Sequence, residues 1–340
     1  MTEAMVENLS EALAQAASGC LKLPAGELDP QVPLSRYGLD SLATVELTTA
    51  IERMVCRRLP ESLLIEHPDL ESLERYLSGA PETDISPMSE FEQMQLDSVL
   101  PAEIRPEGDP KAQQAEEPVL LTGATGFLGG YLLRALLTKT RGSVYCLVRP
   151  AADGDGRERI RRAMERYAIW DPGFASRIKA IEGDLGAPLL GLDEDQYAAL
   201  CENVAAVYHS AALVNWVYSY RALRDANVMG TRELIRLACR RRPKAFHFVS
   251  TLGVCYSTIG PQEVSEEDDV FPYLRGLHLG YAQSKCVGEA LVRQAGERGL
   301  PVNVFRPALI TGDRASGASN SDDLLSRLIR GTVEMGEAPD

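Results

Sequence analysis

The feature that most constrains the fold of this 340-residue chain is a glycine-spaced turn between an apolar run and a helical pattern. Residues 119–121 form the apolar run, Gly123-x-x-Gly126-x-x-Gly129 follows it, and residues 128–137 repeat apolar side chains at helical spacing. The glycines permit a tight turn, close approach of a pyrophosphate, and close packing of helix on strand. The sequence therefore predicts the opening unit of a dinucleotide-binding sheet.

Apolar runs and helical patterns then alternate along the rest of the chain. A helical pattern such as residues 223–238 separates successive runs, which lie at residues 144–148, 178–181, 204–208, 246–249 and 302–305. Strands that alternate with helices are typical of parallel sheets. We predict an α/β doubly wound parallel-sheet (Rossmann) domain over residues 118–340.

The front of the chain differs from the rest in pattern and in charge. Residues 1–80 repeat apolar side chains at helical spacing and predict an all-α four-helix bundle. Residues 81–117 are a linker by composition, with a predicted helix at about 88–104 that belongs to the following domain. Residues 1–117 hold 23 acids and 8 bases, against 26 acids and 27 bases in the remainder. This acidic front argues against nucleic-acid binding and suits a module that meets basic partner surfaces.

The remaining composition narrows the class of protein. No apolar stretch is long enough to span a bilayer and the first residues lack a signal-peptide pattern, so we expect a cytoplasmic protein without membrane contact. The seven cysteines form no Cys-x-x-Cys pair, which indicates neither a metal site nor a disulfide framework.

The run Gly38-Leu39-Asp40-Ser41-Leu42 stands where a new helical pattern begins. An isolated Asp-Ser pair at such a place usually caps the helix. In its context the run resembles the phosphopantetheine attachment site of acyl and peptidyl carrier proteins, and the likeness covers about eighty residues. The resemblance implies a 4′-phosphopantetheine arm on Ser41 that carries an acyl or aminoacyl thioester. It also implies a phosphopantetheinyl transferase and upstream synthase or ligase modules as partners.

The strand ends supply candidates for the cofactor site. Arg149 follows the second apolar run where an acid would favour NAD, so NADPH is predicted. Arg159 is a second candidate for the extra phosphate, although a solvated helix charge is an equal alternative. Asp184 and Leu185 are predicted beside the adenine. The other predicted cofactor contacts are Gly123, Thr125, Gly126, Phe127, Leu128 and Gly129 in the turn, and Ser210, Ala211 and Ala212 after the fourth run.

A second set of residues suggests catalysis of carbonyl reduction. Tyr281 and Lys285 are four residues apart and so share a helix face. We expect the lysine to lower the phenol pKa and Tyr281 to donate a proton to a carbonyl oxygen. An exposed Tyr and Lys pair is the alternative for this pattern alone. Thr251 after the fifth run adds a hydroxyl donor, and Pro307 after the sixth is predicted to border the nicotinamide.

With Asn227 in the helix before the fifth run, these residues resemble the extended short-chain dehydrogenase/reductase family. The segments 96–104, 120–129, 146–149, 209–218 and 280–285 are similar to its thioester reductase branch. That branch includes the terminal reductase domains of peptide and polyketide synthetases, carboxylic acid reductases and aminoadipate reductases. The resemblance implies reduction of a carrier-bound thioester by NADPH to an aldehyde or, after a second hydride, an alcohol. Thr251 and Tyr281 would polarise the carbonyl. Lys285 would lower the pKa of the tyrosine and contact the ribose of the cofactor. Tyr281 and Asn227 would also contact the cofactor.

Two rival functions and two departures accompany this prediction. A carbonyl or sugar-nucleotide reductase or epimerase would share the turn and the Tyr and Lys pair, and a catalytically idle carrier with a cofactor-binding platform is the second rival. Family members continue past the position of Asp340 into a substrate domain, so we expect a C-terminally incomplete reductase domain. Cys286 replaces a larger aromatic residue that the family usually has.

Overall fold

The computed structural model describes residues 3–21, 23–24, 26–37, 39, 41–55, 57, 59, 63–78, 89–109, 114–150, 155–216, 218–321 and 323–337. The chain divides into two units. The first comprises Met1–Glu92 with Asn215–Ala222, and the second comprises Gln93–Val214 with Leu223–Asp340. Within the described ranges, no helix combines the length and the apolar character needed to cross a membrane.

Helices build the first unit. They are α1 (Glu3–Leu21), α2 (Ser41–Val55), α3 (Leu63–Glu66) and α4 (Leu70–Leu77). The Asp69 side chain accepts a hydrogen bond from the Ser72 N–H, and this capping box fixes the start of α4. The helices bury an apolar core that includes Leu13, Ala17, Leu34, Leu47, Ile51, Leu63 and Leu73. The predicted all-α region is confirmed.

The helix before the sheet is shorter than the sequence pattern predicts. Helix α5 spans Glu90–Asp97, whereas the sequence suggested a helix at about 88–104. Pro101 explains the early end, because proline disfavours helical backbone at the residue before it. Residue 88 lies outside the described residues.

Residues 97–104, from the end of α5 onward, are held by polar contacts within the second unit. Asp97 accepts two hydrogen bonds from the Arg224 guanidinium, at 2.6 and 2.7 Å. Arg298 donates to the carbonyl oxygens of Leu100, Pro101 and Ile104, and Gln294 bonds Ser98 and Leu100. We call residues 97–104 the clasp. Its backbone acceptors are thereby paired inside the unit that contains the sheet.

A parallel six-stranded sheet forms the centre of the second unit in the part of the chain that the structure describes. Its order is β3-β2-β1-β4-β5-β6, with every pairing parallel. The elements are β1 (Val119–Thr122), α6 (Phe127–Lys139), β2 (Val144–Val148), α7 (Gly156–Arg166), β3 (Ile178–Glu182), α8 (Glu194–Asn203), β4 (Ala206–His209), α9 (Tyr220–Arg224), α10 (Gly230–Cys239), β5 (Ala245–Val249), α11 (Gly280–Glu297), β6 (Val302–Phe305) and α12 (Leu324–Met335). A π-helical turn, Asp225–Met229, joins α9 to α10.

The strand order reverses beside β1, and this reversal positions the site. β1 is buried along its whole length, as expected for a strand with covering on both faces. Its neighbours are β2 and β4, so the connections leave it in opposite directions. In open parallel sheets, ligands bind in the crevice at the carboxyl ends of strands at such a switch point. The predicted doubly wound domain is confirmed, and β4 begins later than predicted because Val204 ends α8.

Candidate cofactor and catalytic site

The glycine turn after β1 is shaped by close backbone contacts. Gly123 has a φ of +81°, which favours glycine, and a Cβ there would lie 2.8 Å from the Ala211 nitrogen. A Cβ on Gly129 would lie 1.9 Å from the Gly123 oxygen. Gly126 precedes α6 and offers no side-chain cap to its first N–H groups. Those N–H groups and the helix dipole form a site for an anion.

The other predicted residues of the turn lie around this anion site. Thr125, Phe127 and Leu128 are half-buried. The Phe127 ring packs edge-on against Tyr167, with 5.0 Å between ring centroids. This contact anchors the first turn of α6.

Two predicted phosphate ligands lie together at the end of β2. The Arg159 guanidinium on α7 donates a hydrogen bond to the Arg149 carbonyl oxygen. Asp155 caps α7 by accepting from the Glu158 N–H at 2.7 Å, which fixes the start of the helix that carries Arg159. The Arg149 side chain is exposed and Arg159 is half-buried. Two guanidinium groups at this strand end fit a phosphate monoester on a ribose.

The loop after β4 contacts the glycine turn, and the loop after β3 lies against α10. Asp184 is exposed, its N–H donates to the Leu190 oxygen at 2.7 Å, and its carboxylate accepts from the Gly186 N–H. Leu185 lies against α10, where a Cβ on Gly230 would meet the Leu185 oxygen at 2.8 Å. Ala211 donates its N–H to the Thr122 hydroxyl at 3.1 Å, and Ser210 and Ala212 beside it are half-buried.

Asn227 lies in the π-helical turn, and both the oxygen and the nitrogen of its side-chain amide form hydrogen bonds within the protein. Its Oδ1 accepts from the Leu213 N–H at 2.7 Å, and its Nδ2 donates to the Leu213 oxygen and to Ser284 Oγ. The residue is 1% exposed. Asn227 thus connects the loop after β4 to α11, and its direct contact with a cofactor stays a prediction.

The predicted catalytic residues come from β5 and α11. Thr251 Oγ1 accepts a hydrogen bond from the Gly253 N–H at 3.1 Å, which leaves its O–H proton to donate to another acceptor. The Leu252 N–H donates to the Pro307 oxygen at 2.9 Å, so the end of β6 lies against the turn that begins at Thr251. Tyr281 and Lys285 occupy the first two turns of α11.

The expected lowering of the tyrosine pKa is wrong for this structure. Burial raises the pKa of Tyr281 to about 12. Burial lowers the pKa of Lys285 to about 7, and the Glu289 carboxylate one turn later opposes that shift. The Lys285 Nζ lies 4.1 Å from the centroid of the Phe248 ring. Desolvation therefore outweighs the attraction between phenolate and ammonium, and Tyr281 keeps its proton at neutral pH.

The predicted attachment residue lies at the start of α2. Ser41 is the first residue of that helix. Its side chain, together with Gly38 and Asp40, lies outside the described residues. The phosphopantetheine attachment at Ser41 stays a prediction.

One residue of the site, Glu289, was missed by the sequence reasoning. Glu289, which is 1% exposed, forms a bidentate ion pair with Arg306 at 2.7 Å, and helical spacing from Lys285 is the signal that could have found it. His209, which the sequence placed along the cofactor together with Ser210, Ala211 and Ala212, ends β4 and bonds Thr122 and Thr231, two contacts that the sequence did not predict. Among the described residues, no cluster of His, Cys, Asp and Glu could hold a metal ion.

These features fit a bound NADP dinucleotide. The glycine turn brings backbone segments closer together than a Cβ would allow, α6 begins without a side-chain cap on its first N–H groups, and Arg149 and Arg159 lie together at the end of β2. A parallel sheet with this turn and a Thr, Tyr and Lys set defines the class of dinucleotide-dependent reductases. Residues 121–340 match the male sterility protein family, to which the chain belongs, and residues 11–77 match the phosphopantetheine attachment site family.

Known relatives support the same class. One of the proteins that make up the linear gramicidin synthase of Brevibacillus parabrevis is 39% identical over 311 residues, which cover 89% of this chain and 6% of that protein. The L-2-aminoadipate reductase large subunit of Penicillium chrysogenum is 40% identical over 238 residues, which cover 66% of this chain and 17% of that protein. The chain therefore spans a small part of these relatives.

Solved structures agree with this result. The terminal R domain from the myxalamid PKS-NRPS biosynthetic pathway has a TM-score of 0.68 at 46% identity, and the match covers 73% of this chain and 63% of that chain. The predicted resemblance to carrier and thioester reductase domains is confirmed, as are a nicotinamide dinucleotide and phosphopantetheine as the cofactor classes.

Proposed function

We propose that this chain catalyses the NADPH-dependent reductive release of an acyl or aminoacyl group held as a thioester on the 4′-phosphopantetheine arm of Ser41. The observation that carries the proposal is the union, in one chain, of a carrier family match with a reductase family match in which Thr251 follows β5 and Tyr281 and Lys285 lie in the first turns of α11. A carbonyl or sugar-nucleotide reductase has no use for the carrier region.

In the proposed reaction NADPH supplies a hydride to the thioester carbonyl carbon. The carbon–sulfur bond breaks, and the products are an aldehyde, the free thiol of the arm and NADP⁺, with one proton taken up. A second hydride would give an alcohol.

The side chains act on the carbonyl oxygen, where negative charge develops. The Thr251 and Tyr281 hydroxyls donate hydrogen bonds to it, and each such donor contributes about 3 kcal/mol to lowering the barrier. Because burial raises the pKa of Tyr281, its proton is present for donation at neutral pH. Lys285 lies one turn away on the same helix face, and in its protonated form it stabilises that charge.

The proposed organisation follows the sequence boundaries. Residues 1–80 form the carrier domain, residues 81–117 form a linker whose helix belongs to the reductase, and residues 118–340 form the reductase domain. A phosphopantetheinyl transferase would modify Ser41, and upstream synthase or ligase modules would load the arm. The acidic front is complementary to basic surfaces on such partners, and the proposed location is the cytoplasm.

The test presents the loaded chain with NADPH and follows its absorbance. We expect oxidation with the carrier-bound thioester, and Tyr281→Phe should reduce kcat by about 10²-fold while the Kd for NADPH stays near the wild-type value. Tyr256→Phe is the matched control, because Tyr256 is 69% exposed. Oxidation with a free ketone but not with the thioester would indicate a carbonyl reductase. Absence of oxidation with both would indicate an idle platform.

Attachment is tested by intact-protein mass spectrometry after incubation with a phosphopantetheinyl transferase and coenzyme A. Ser41→Ala should lose the mass gain of the arm, and Ser78→Ala at the end of α4 should retain it. A mass gain that persists in Ser41→Ala would show another attachment point.

A further inference from the structure

A line of buried polar side chains runs beneath the site, from β1 to α11. Its members are at most 1% exposed, and they are Thr122, His209, Asn227, Thr231 and Ser284. Thr122 and His209 are register partners in neighbouring strands, and their side chains bond at 2.8 Å between Oγ1 and Nδ1. Unpaired polar groups at this depth would be costly, so each bond in the line constrains its neighbours.

The directions of these bonds fix the tautomer of His209. The Thr231 hydroxyl donates to the Asn227 carbonyl oxygen at 2.6 Å, so it can only accept from His209 Nε2, which lies 3.0 Å away. The Ala211 N–H donates to Thr122 Oγ1, whose own proton is then directed at His209 Nδ1. This assignment gives a neutral imidazole with its proton on Nε2.

The charge around the ring agrees with this tautomer. Burial, together with the Lys285 ammonium, holds the pKa of His209 well below its usual value. An imidazolium would place a second N–H against the Thr122 hydroxyl and would break the chain of donors. The ring is therefore a fixed connector between two threonines.

The line ends at the catalytic helix. Asn227 Nδ2 donates to Ser284 Oγ at 3.0 Å, and Ser284 Oγ donates to the Tyr281 carbonyl oxygen at 2.8 Å. At its other end, Thr122 is the residue before Gly123 and holds the Ala211 N–H. One continuous set of hydrogen bonds thus joins the glycine turn to the turn of α11 that bears Tyr281.

We propose that His209, as the neutral Nε2–H tautomer, is a positioning residue that holds the Tyr281 helix in register with the glycine turn. This role rests on the proposed function, because it fixes the distance between a cofactor and the hydroxyl donor. It also predicts a property of the ring itself, which can be measured without any substrate.

The first test is NMR of the full chain labelled with ring-¹⁵N histidine. The chain has four histidines, and the variants His209→Gln and His247→Gln assign the signals of the buried His209 ring and of the half-buried His247 ring. We expect the His209 signals to show a protonated Nε2 and a bare Nδ1, unchanged between pH 5 and 8. A ring that titrates in this range, or one protonated on Nδ1, would overturn the proposal.

The second test uses a matched pair at Thr231. Thr231→Val removes the hydroxyl at similar volume, and Thr231→Ser restores it. Since misplacement by about 1 Å can cost 10²-fold, we expect Thr231→Val to lower kcat with the loaded carrier at least tenfold with little change in KM, and to weaken NADPH binding several-fold. Thr231→Ser should recover both values. His247→Gln should leave both unchanged, since His247 stacks on Tyr208 outside the line.

The outcomes separate the two proposals. If wild-type protein binds NADPH but never reduces the thioester, the proposed function fails, while the tautomer and the NADPH affinity of Thr231→Val still decide the role of His209. If the thioester is reduced and Thr231→Val matches wild type in kcat and NADPH affinity, the role of His209 is refuted and the function stands.

Discussion

Substitution of Gly129 by alanine provides a sharp test of the cofactor site. The new Cβ would lie 1.9 Å from the Gly123 oxygen and 2.5 Å from its carbonyl carbon. Real Cβ contacts essentially never fall below 3.0 Å, so α6 and the turn must separate by at least the difference, about 1.1 Å. Neither atom belongs to a flexible side chain, which means that the backbone itself has to move.

The expected effects follow from that displacement. Forced separation of packed backbone costs about 1 to 3 kcal/mol of stability. A shift of about 1 Å in the N–H groups at the start of α6 should weaken NADPH binding by one to two orders of magnitude. Gly130→Ala is the control, because its Cβ would make ordinary contacts, at 3.4 and 3.7 Å with the Ile169 and Tyr167 side chains and at 3.8 Å with the Ala124 oxygen. The new alanine should add up to about 1 kcal/mol of helix propensity.

The assay is fluorescence titration of NADPH at a temperature well below the Tm of each variant, combined with thermal unfolding. We expect Gly129→Ala to lose affinity and Tm, and Gly130→Ala to bind like wild type with an equal or higher Tm. A Gly129→Ala protein with wild-type affinity for NADPH would refute the assignment of this turn as the pyrophosphate site.

Three further predictions concern charges. Arg149→Ala should raise the Kd for NADPH about tenfold and leave the Kd for NADH unchanged. The control is Arg162→Ala, at an exposed arginine of the neighbouring helix α7. Equal changes in Kd for both nucleotides would exclude a role of Arg149 in phosphate recognition. Asp97→Asn should lower the free energy of unfolding in urea by about 3 kcal/mol, because Asp97 is 5% exposed and paired with Arg224. Glu103 is 66% exposed in its ion pair with Arg236, so Glu103→Gln should lower the free energy of unfolding by less than about 0.5 kcal/mol. Similar losses in Asp97→Asn and Glu103→Gln would contradict this reasoning. Because burial lowers the Lys285 pKa to about 7, the unfolded chain binds a proton that the folded chain lacks above that pH. The free energy of unfolding should therefore rise by about 2 kcal/mol between pH 7 and 9 relative to Lys285→Met, and a constant difference between the two proteins would count against a buried neutral amine.

Local patterns predicted the strands well and buried electrostatics poorly. β1 and β2 agree with their apolar runs because a strand covered on both faces needs continuous apolar sequence. The edge strand β6 also agrees with its predicted range, although Asn303 and Phe305 in it are exposed. The helix predicted at 88–104 was too long, because amphipathic spacing continues past Pro101 although the backbone cannot.

The candidate site also combines features that local sequence predicts with features that depend on the folded structure. Spacing alone placed Tyr281 and Lys285 on one helix, and the turn glycines came from a local motif. The pKa of Tyr281 depends instead on how much water the folded chain excludes, which no local pattern reports. His209 gains its role only when strand pairing brings Thr122 beside it, a contact between residues 87 positions apart.

The clasp also bears on how such chains can be recombined. A crossover at Pro118, just before the sheet, would separate a reductase domain from its own clasp. Arg224, Gln294 and Arg298 would then face a clasp that comes from another protein. The carboxylate of Asp97 and the carbonyls of the clasp would then have to be supplied by an unrelated donor sequence. A chimera that takes everything from Ser89 onward keeps these complementary groups together in one segment, so viable domain exchanges are expected to join upstream of α5 rather than at the first strand.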